Sequence, residues 1–151
     1  MAAPTDACGI SKIDKTLGKG TYGMVYRVIY RGRPFALKTI NYSSVTFPEL
    51  DILLSFNHPY LSRGDKIVRE SDCPTIIKKH DVGILLPLAE GTLSGVDTQI
   101  QPETFTWWQQ LADGVRFLHQ NNYIHLDIKP DNILIFGREQ QIGRASCRER
   151  V

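Results

Sequence analysis

Three side chains stand at fixed offsets in the stretch His125-Leu126-Asp127-Ile128-Lys129-Pro130-Asp131-Asn132. Asp127 can accept a proton from a hydroxyl. Lys129 can neutralise phosphate charge. Asn132 can hold a metal ion through its side-chain carbonyl. Together they suit phosphoryl transfer, which asks a protein for positioning and charge neutralisation. A lone His-x-Asp would be ordinary on any loop. The whole phrase, placed after an apolar helical segment, is far more specific. His125 reads as a buttress of the loop, not as a base.

A second group lies near the other end. Leu17-Gly18-Lys19-Gly20-Thr21-Tyr22-Gly23-Met24-Val25 carries glycines spaced G-x-G-x-x-G. Alone this is a weak signal, because hairpin glycines often serve only tight turns and close packing. A dinucleotide-binding fold would place a helix after the last glycine. Here a β-rich run follows instead. Glycines in such a turn let backbone N–H groups approach phosphates closely. Lys38 comes twenty residues after Gly18, in Phe35-Ala36-Leu37-Lys38. A strand lysine is usually a solvated residue. After a glycine turn, it is also a compact cation with three donors for phosphate oxygens.

The elements that must position these groups follow from periodicity and punctuation. Three strands are predicted at Ile13–Gly18, Met24–Tyr30 and Pro34–Ile40, the second rich in β-branched and aromatic residues. Arg31-Gly32-Arg33 is the turn between the last two. Residues 1–11 read as a mobile leader. Phe47–Phe56 suggests a short amphipathic helix with Pro48 near its start, ended by Asn57-His58-Pro59. Two more strands are predicted near Lys66–Arg69 and Val82–Leu86. Pro102–Gln120 is the strongest helix. Phe105, Trp108, Leu111, Ala112, Val115 and Leu118 recur at helical spacing, and Trp107 and Trp108 read as core and rim.

The 151 residues suffice for one ordinary core. No apolar run approaches a membrane span, and no secretory leader is apparent, so an intracellular, cytoplasmic protein is expected. The cysteines Cys8, Cys73 and Cys147 show no metal spacing and are expected as reduced thiols. The last ten residues, Ile142 to Val151, lack apolar periodicity. They resemble the translation of a sequencing-adapter read, codon for codon, and are set aside from fold reasoning. They hold three arginines against one glutamate, so the formal charge of +2 falls to zero for the chain up to Gln141. Charge therefore points to no nucleic-acid or membrane partner.

These motifs, in this order, resemble those of eukaryotic-type serine/threonine protein kinases. The glycine stretch fits G-x-G-x-x-G-x-V, Phe35–Lys38 fits V-A-I-K, and the 125–132 stretch fits H-R-D-x-x-x-x-N. Lys129-Pro130 resembles the serine/threonine branch. The resemblance covers about residues 12–137 and implies an α+β, protein-kinase-like fold. It would have a five-stranded antiparallel N-lobe sheet with one helix over 12–86, a hinge over 87–91, and the start of a helical C-lobe over 92–141.

The resemblance also implies roles. Leu17, Gly18, Lys19, Gly20, Thr21, Tyr22, Gly23, Val25 and Ala36 would surround ATP. Lys38 would hold its phosphates and pair with Glu49, although only ten residues separate the two. Leu86 would be the gatekeeper. Pro87 would offer its carbonyl and Ala89 its N–H to adenine. Asn132 would ligate Mg²⁺. The substrate would be a protein bearing Ser or Thr. Leu126 replaces the motif's arginine, which implies activity independent of activation-loop phosphorylation. No D-F-G is present: Phe136-Gly137 follows Ile135, and the expected position falls in the adapter-like tail. The chain as it stands is therefore expected to be inactive. The alternative is a pseudokinase, a nucleotide-binding or scaffold module, which phosphate transfer would discriminate.

Overall fold

The structure is a computed structural model that describes residues 8–20, 23–41, 54–96, 102–136 and 144–147. The chain forms two compact units, residues 1–47 with 64–88 and residues 48–63 with 89–151.

The first unit is an antiparallel sheet. Its strands are β1 (Ile10–Gly20), β2 (Gly23–Tyr30), β3 (Arg33–Asn41), β4 (Lys66–Arg69) and β5 (Asp81–Leu86), in the order β1-β2-β3-β5-β4. The five predicted strands are all present. Between β2 and β3, Arg31 and Gly32 both have positive φ, at 47° and 78°. That is the twist a two-residue hairpin turn requires.

Strand alternation splits the sheet into two faces. Leu37 pairs with Leu85 and Tyr26 with Leu37, so these residues share one face. That face carries the core of Val28, Leu37, Val68 and Leu85, completed by Cys8, Ile10, Cys73 and Ile77. The connection from β4 to β5 lies down on it. A Cβ at Gly83 would come within 2.7 Å of the Ile77 Cδ1 and 3.0 Å of the Leu37 Cδ1, so glycine lets that loop pack closely on the strand.

Two expectations are corrected here. Residues 8–11 are not a mobile leader: Cys8 and Ile10 are buried, and the Gly9 carbonyl accepts a hydrogen bond from the Arg31 N–H. Cys8 and Cys73 are not separate thiols but are joined by a disulfide, with Cα atoms 5.5 Å apart. They lie 65 positions apart in sequence, and only the folded sheet reveals that they meet.

In the second unit, β6 (Gly91–Thr92), β7 (Ile133–Phe136) and β8 (Arg144–Cys147) form a small antiparallel sheet in that order. Helix α1 spans Pro102–Gln120, as its periodicity predicts. Its buried side, however, is Trp107, Gln110, Leu111, Gly114 and Leu118, rotated from the predicted stripe. Phe105 and Trp108 are 71% and 57% exposed. The helix is apolar on two sides, and the covered one passes close to residue 60: a Cβ at Gly114 would lie 3.3 Å from the Tyr60 carbonyl oxygen.

Residues 48–63, which the sequence pattern groups with the first lobe, cluster with this unit. Leu61 joins the core of Leu111, Leu118 and Ile133. Phe56 packs edge-on against Phe117 and Tyr123. Of the short helix predicted over Phe47–Phe56, Leu54 and Ser55 are helical, and residues 47–53 lie outside the described residues. Among the described residues no helix is long and apolar enough to cross a membrane.

Candidate active site

The second face of the first sheet brings together one group of predicted residues. Val25 pairs with Lys38, Lys38 with Ile84, and Ala36 with Leu86. By alternation, Val25, Ala36, Lys38, Ile84 and Leu86 share the face opposite the core. Val25, Ala36 and Leu86 are buried small or branched residues around the half-buried Lys38. Gly18 pairs with Val25 at the upper end of this row, and Leu17 beside it is exposed.

The glycines of this turn differ in their reasons. A Cβ on Gly23 would lie 1.8 Å from the Thr39 carbonyl oxygen, so the β2–β3 pairing itself demands glycine. Gly18 has no such constraint. Nothing lies within 4 Å of a Cβ built there, and its φ is not left-handed. Neither backbone nor packing explains glycine at 18, whereas close approach of a ligand would. Thr21, Tyr22 and Glu49 lie outside the described residues.

The second group is positioned by the end of α1. The Tyr123 N–H donates to Leu118 at 2.9 Å and the Asn122 N–H to His119 at 3.1 Å. Asn122 has φ 65°, the left-handed residue of a Schellman stop. Tyr123 then packs back on the Leu118 cluster, which sets where the following loop begins. His125 is buried, and its Nδ1 accepts the Asp127 N–H at 3.2 Å. It therefore shapes the loop, as its place in the motif implies. Leu126 stands at φ 62° and is 82% exposed.

Asp127, Lys129 and Asn132 converge. Asn132 Nδ2 donates to the Asp127 carbonyl at 2.8 Å and to Asp127 Oδ2 at 2.9 Å. Lys129 Nζ lies 3.8 Å from Asp127 Oδ1. The carboxylate is thus steered from both oxygens while half-exposed. Pro130 to Asn132 form a single 3-10 turn, which brings Asn132 back to Asp127. This bond between the two predicted residues is the feature that spacing alone does not reveal.

Asn132 is only 7% exposed. With Nδ2 committed twice, its Oδ1 is a buried acceptor with no donor among the described residues. Such an atom calls for a partner, and a hard cation fits it. Among the described residues no cluster of three or more His, Cys, Asp or Glu could hold a metal unaided.

Pro87 is exposed and Ala89 half-buried, following the Leu86 end of β5. The Glu90 N–H donates to Ile135 at 2.9 Å, which ties the segment after Ala89 to β7.

Comparison with known proteins gives a consistent result. The family described as protein kinase domain matches residues 11–143. The chain is 31% identical over 152 residues to the serine/threonine-protein kinase mos of Xenopus laevis, covering 89% of this chain and 41% of that protein. It is 31% identical over 157 residues to mitogen-activated protein kinase kinase 7 of Arabidopsis thaliana, covering 91% and 48%. It is 31% identical over 159 residues to the serine/threonine-protein kinase ULK3 of Mus musculus, covering 93% and 32%. The chain spans less than half the length of each of these relatives.

Proposed function

The chain belongs to the protein kinase family, and on that premise we propose that the whole protein transfers the γ-phosphoryl of ATP to serine or threonine hydroxyls of proteins. The family uses ATP and a divalent metal generally; Mg²⁺ is the ion proposed here. The observation that carries the reading is the Asp127–Lys129–Asn132 constellation, with one amide nitrogen bonded to the carboxylate that would act as base.

Asp127 accepts the proton of the substrate hydroxyl. Asn132 turns Oδ2 of that carboxylate, and Lys129 flanks Oδ1. Lys129 also meets the negative charge of the transferring group. Asn132 Oδ1 would hold the metal, which neutralises phosphate charge when bound. Lys38 holds the α- and β-phosphates, and Glu49 orients Lys38. The glycine stretch covers the phosphates, with Gly18 leaving room for them. Val25 and Ala36 line the adenine pocket, while the Pro87 carbonyl and Ala89 N–H meet the base edge. Leu126 cannot bind a phosphate, which supports activity without loop phosphorylation.

The 151-residue chain itself is proposed to be inactive. It lacks the D-F-G aspartate that would complete the metal site, and residues 142–151 are proposed to be foreign to the protein. The test is phosphate transfer to a generic protein substrate by the full-length protein. Transfer supports the enzyme; nucleotide-dependent thermal stabilisation without transfer supports a binding module instead.

A further inference from the structure

The strand that delivers the glycine turn pairs with β2 along its length but buries side chains at one end only. Along β1, every side chain from Ser11 to Leu17 is exposed. Burial is concentrated at the start, in Ile10 and in Cys8 just before it. The ladder to β2 is interrupted by three register shifts. β1 is also an edge strand, so nothing in the sheet holds its outer side. An edge strand with few buried side chains belongs to the part of a fold that opens first.

Cys73 follows β4, the strand at the opposite edge of the sheet. Cys8 and Cys73 meet on the core face, among Ile10, Val28, Leu37 and Leu85. The disulfide therefore joins the segment that enters one edge strand to the connection that leaves the other, where the two meet on the core face with Cα atoms 5.5 Å apart. The two cysteines are 1% and 0% exposed.

We propose that Cys8–Cys73 is a redox-gated staple of β1: closed, it fixes the start of the strand across the sheet, and reduced, it leaves the strand carrying Gly18–Gly20 free to lift. The step is thiol–disulfide exchange with a low-molecular-weight disulfide of the glutathione type. A thiolate of one cysteine attacks that disulfide and releases one small thiol. The second cysteine, as thiolate, attacks the mixed disulfide and releases another. Two protein thiols are oxidised, one small disulfide is reduced to two thiols, and the protons pass to the solvent and the released thiolates. Because both sulfurs are buried, exchange in either direction requires the Cys8–Ile10 end to open. Reduction does not unfold the sheet, because two thiols remain small apolar groups in the same core.

The test uses the 151-residue chain equilibrated in reduced or oxidised glutathione and then alkylated. Mass spectrometry of peptides identifies the bond, and hydrogen exchange reads the amides of Lys12–Gly20, with those of β3 as internal reference. The expected result is a Cys8–Cys73 linked peptide with Cys147 alkylated, and β1 exchange at least tenfold faster after reduction while β3 is unchanged. Cys73→Ser should show the fast β1 exchange in both buffers. Absence of the linked peptide, linkage through Cys147, or equal β1 exchange in both redox states would overturn the proposal. These readouts report strand opening and stand whatever the glycine turn binds.

Discussion

The two units solve opposite problems with opposite means. Residues 1–47 and 64–88 carry eleven lysines and arginines against six aspartates and glutamates. Residues 48–63 and 89–151 carry seven against ten. The proposed phosphate-holding residues belong to the basic unit, and the proposed base and metal ligand belong to the acidic one. Each local field suits the chemistry proposed for it, because cations attract the polyanion and acidic surroundings favour a bound cation.

The packing differs as well. The sheet unit covers its core face with the β4–β5 connection and closes it with a disulfide. The helical unit leaves Phe105, Trp108, Ile124, Leu126 and Ile128 exposed. An open groove along α1 is lined by Trp108, Leu111, Ala112, Val115 and Ile128, with Arg116, His119 and Gln120 beside them. A patch of this kind marks a surface that another element covers. Among the described residues the sheet unit covers its core face, whereas the helical unit leaves apolar side chains open.

The division of labour breaks most sharply at the chemistry. In the full-length protein, Asp127→Asn should lower kcat by about 10²- to 10⁴-fold, the usual worth of a positioned base. ATP-dependent thermal stabilisation should survive that change. Lys38→Met should act the other way, weakening nucleotide binding by about 1.5–3 kcal/mol, the scale of hydrogen bonds to charged groups. Titration of ATP by thermal shift, beside initial rates, separates the two. If both variants lose binding equally, the basic and acidic units do not divide the work as described.

Stability should follow the packing contrast. Leu85→Ala, in the closed core, should cost about 2–5 kcal/mol in denaturant unfolding. Trp108→Ser, on the open helix side, should stay within about 0.5 kcal/mol and improve solubility. Between these lies the pair of glycines. Gly23→Ala must displace the Thr39 carbonyl and should cost about 1–3 kcal/mol. Gly18→Ala should leave stability within about 0.5 kcal/mol while reducing ATP affinity. Equal destabilisation by the two alanines would remove the reason to assign Gly18 to a ligand.

Much of this was legible from residues alone. β-branched and aromatic enrichment in Met24–Tyr30, the turn at Arg31-Gly32-Arg33 and a full apolar period in Pro102–Gln120 predict elements that the structure contains. What escaped depends on tertiary neighbours. Gly91–Thr92 is too short to have a period, so β6 exists only through its pairing with Ile135 and Leu134. Helix α1 is apolar on two sides, so periodicity could not say that Trp107 rather than Trp108 is buried. Cys8 and Cys73 meet only because the segment before β1 and the β4–β5 connection both lie on the core face of one sheet. At the site, the offset from Asp127 to Asn132 was readable, but the bond between them needed the 3-10 turn at Pro130.

The central claim is that these two halves belong to a working phosphoryl-transfer enzyme. The most direct measurement is transfer of labelled γ-phosphate from ATP to a generic Ser/Thr protein substrate by the purified full-length protein with Mg²⁺. The account predicts incorporation on serine or threonine by the wild type and its collapse in Asp127→Asn. Nucleotide binding with no incorporation, or incorporation that Asp127→Asn leaves unchanged, would contradict it.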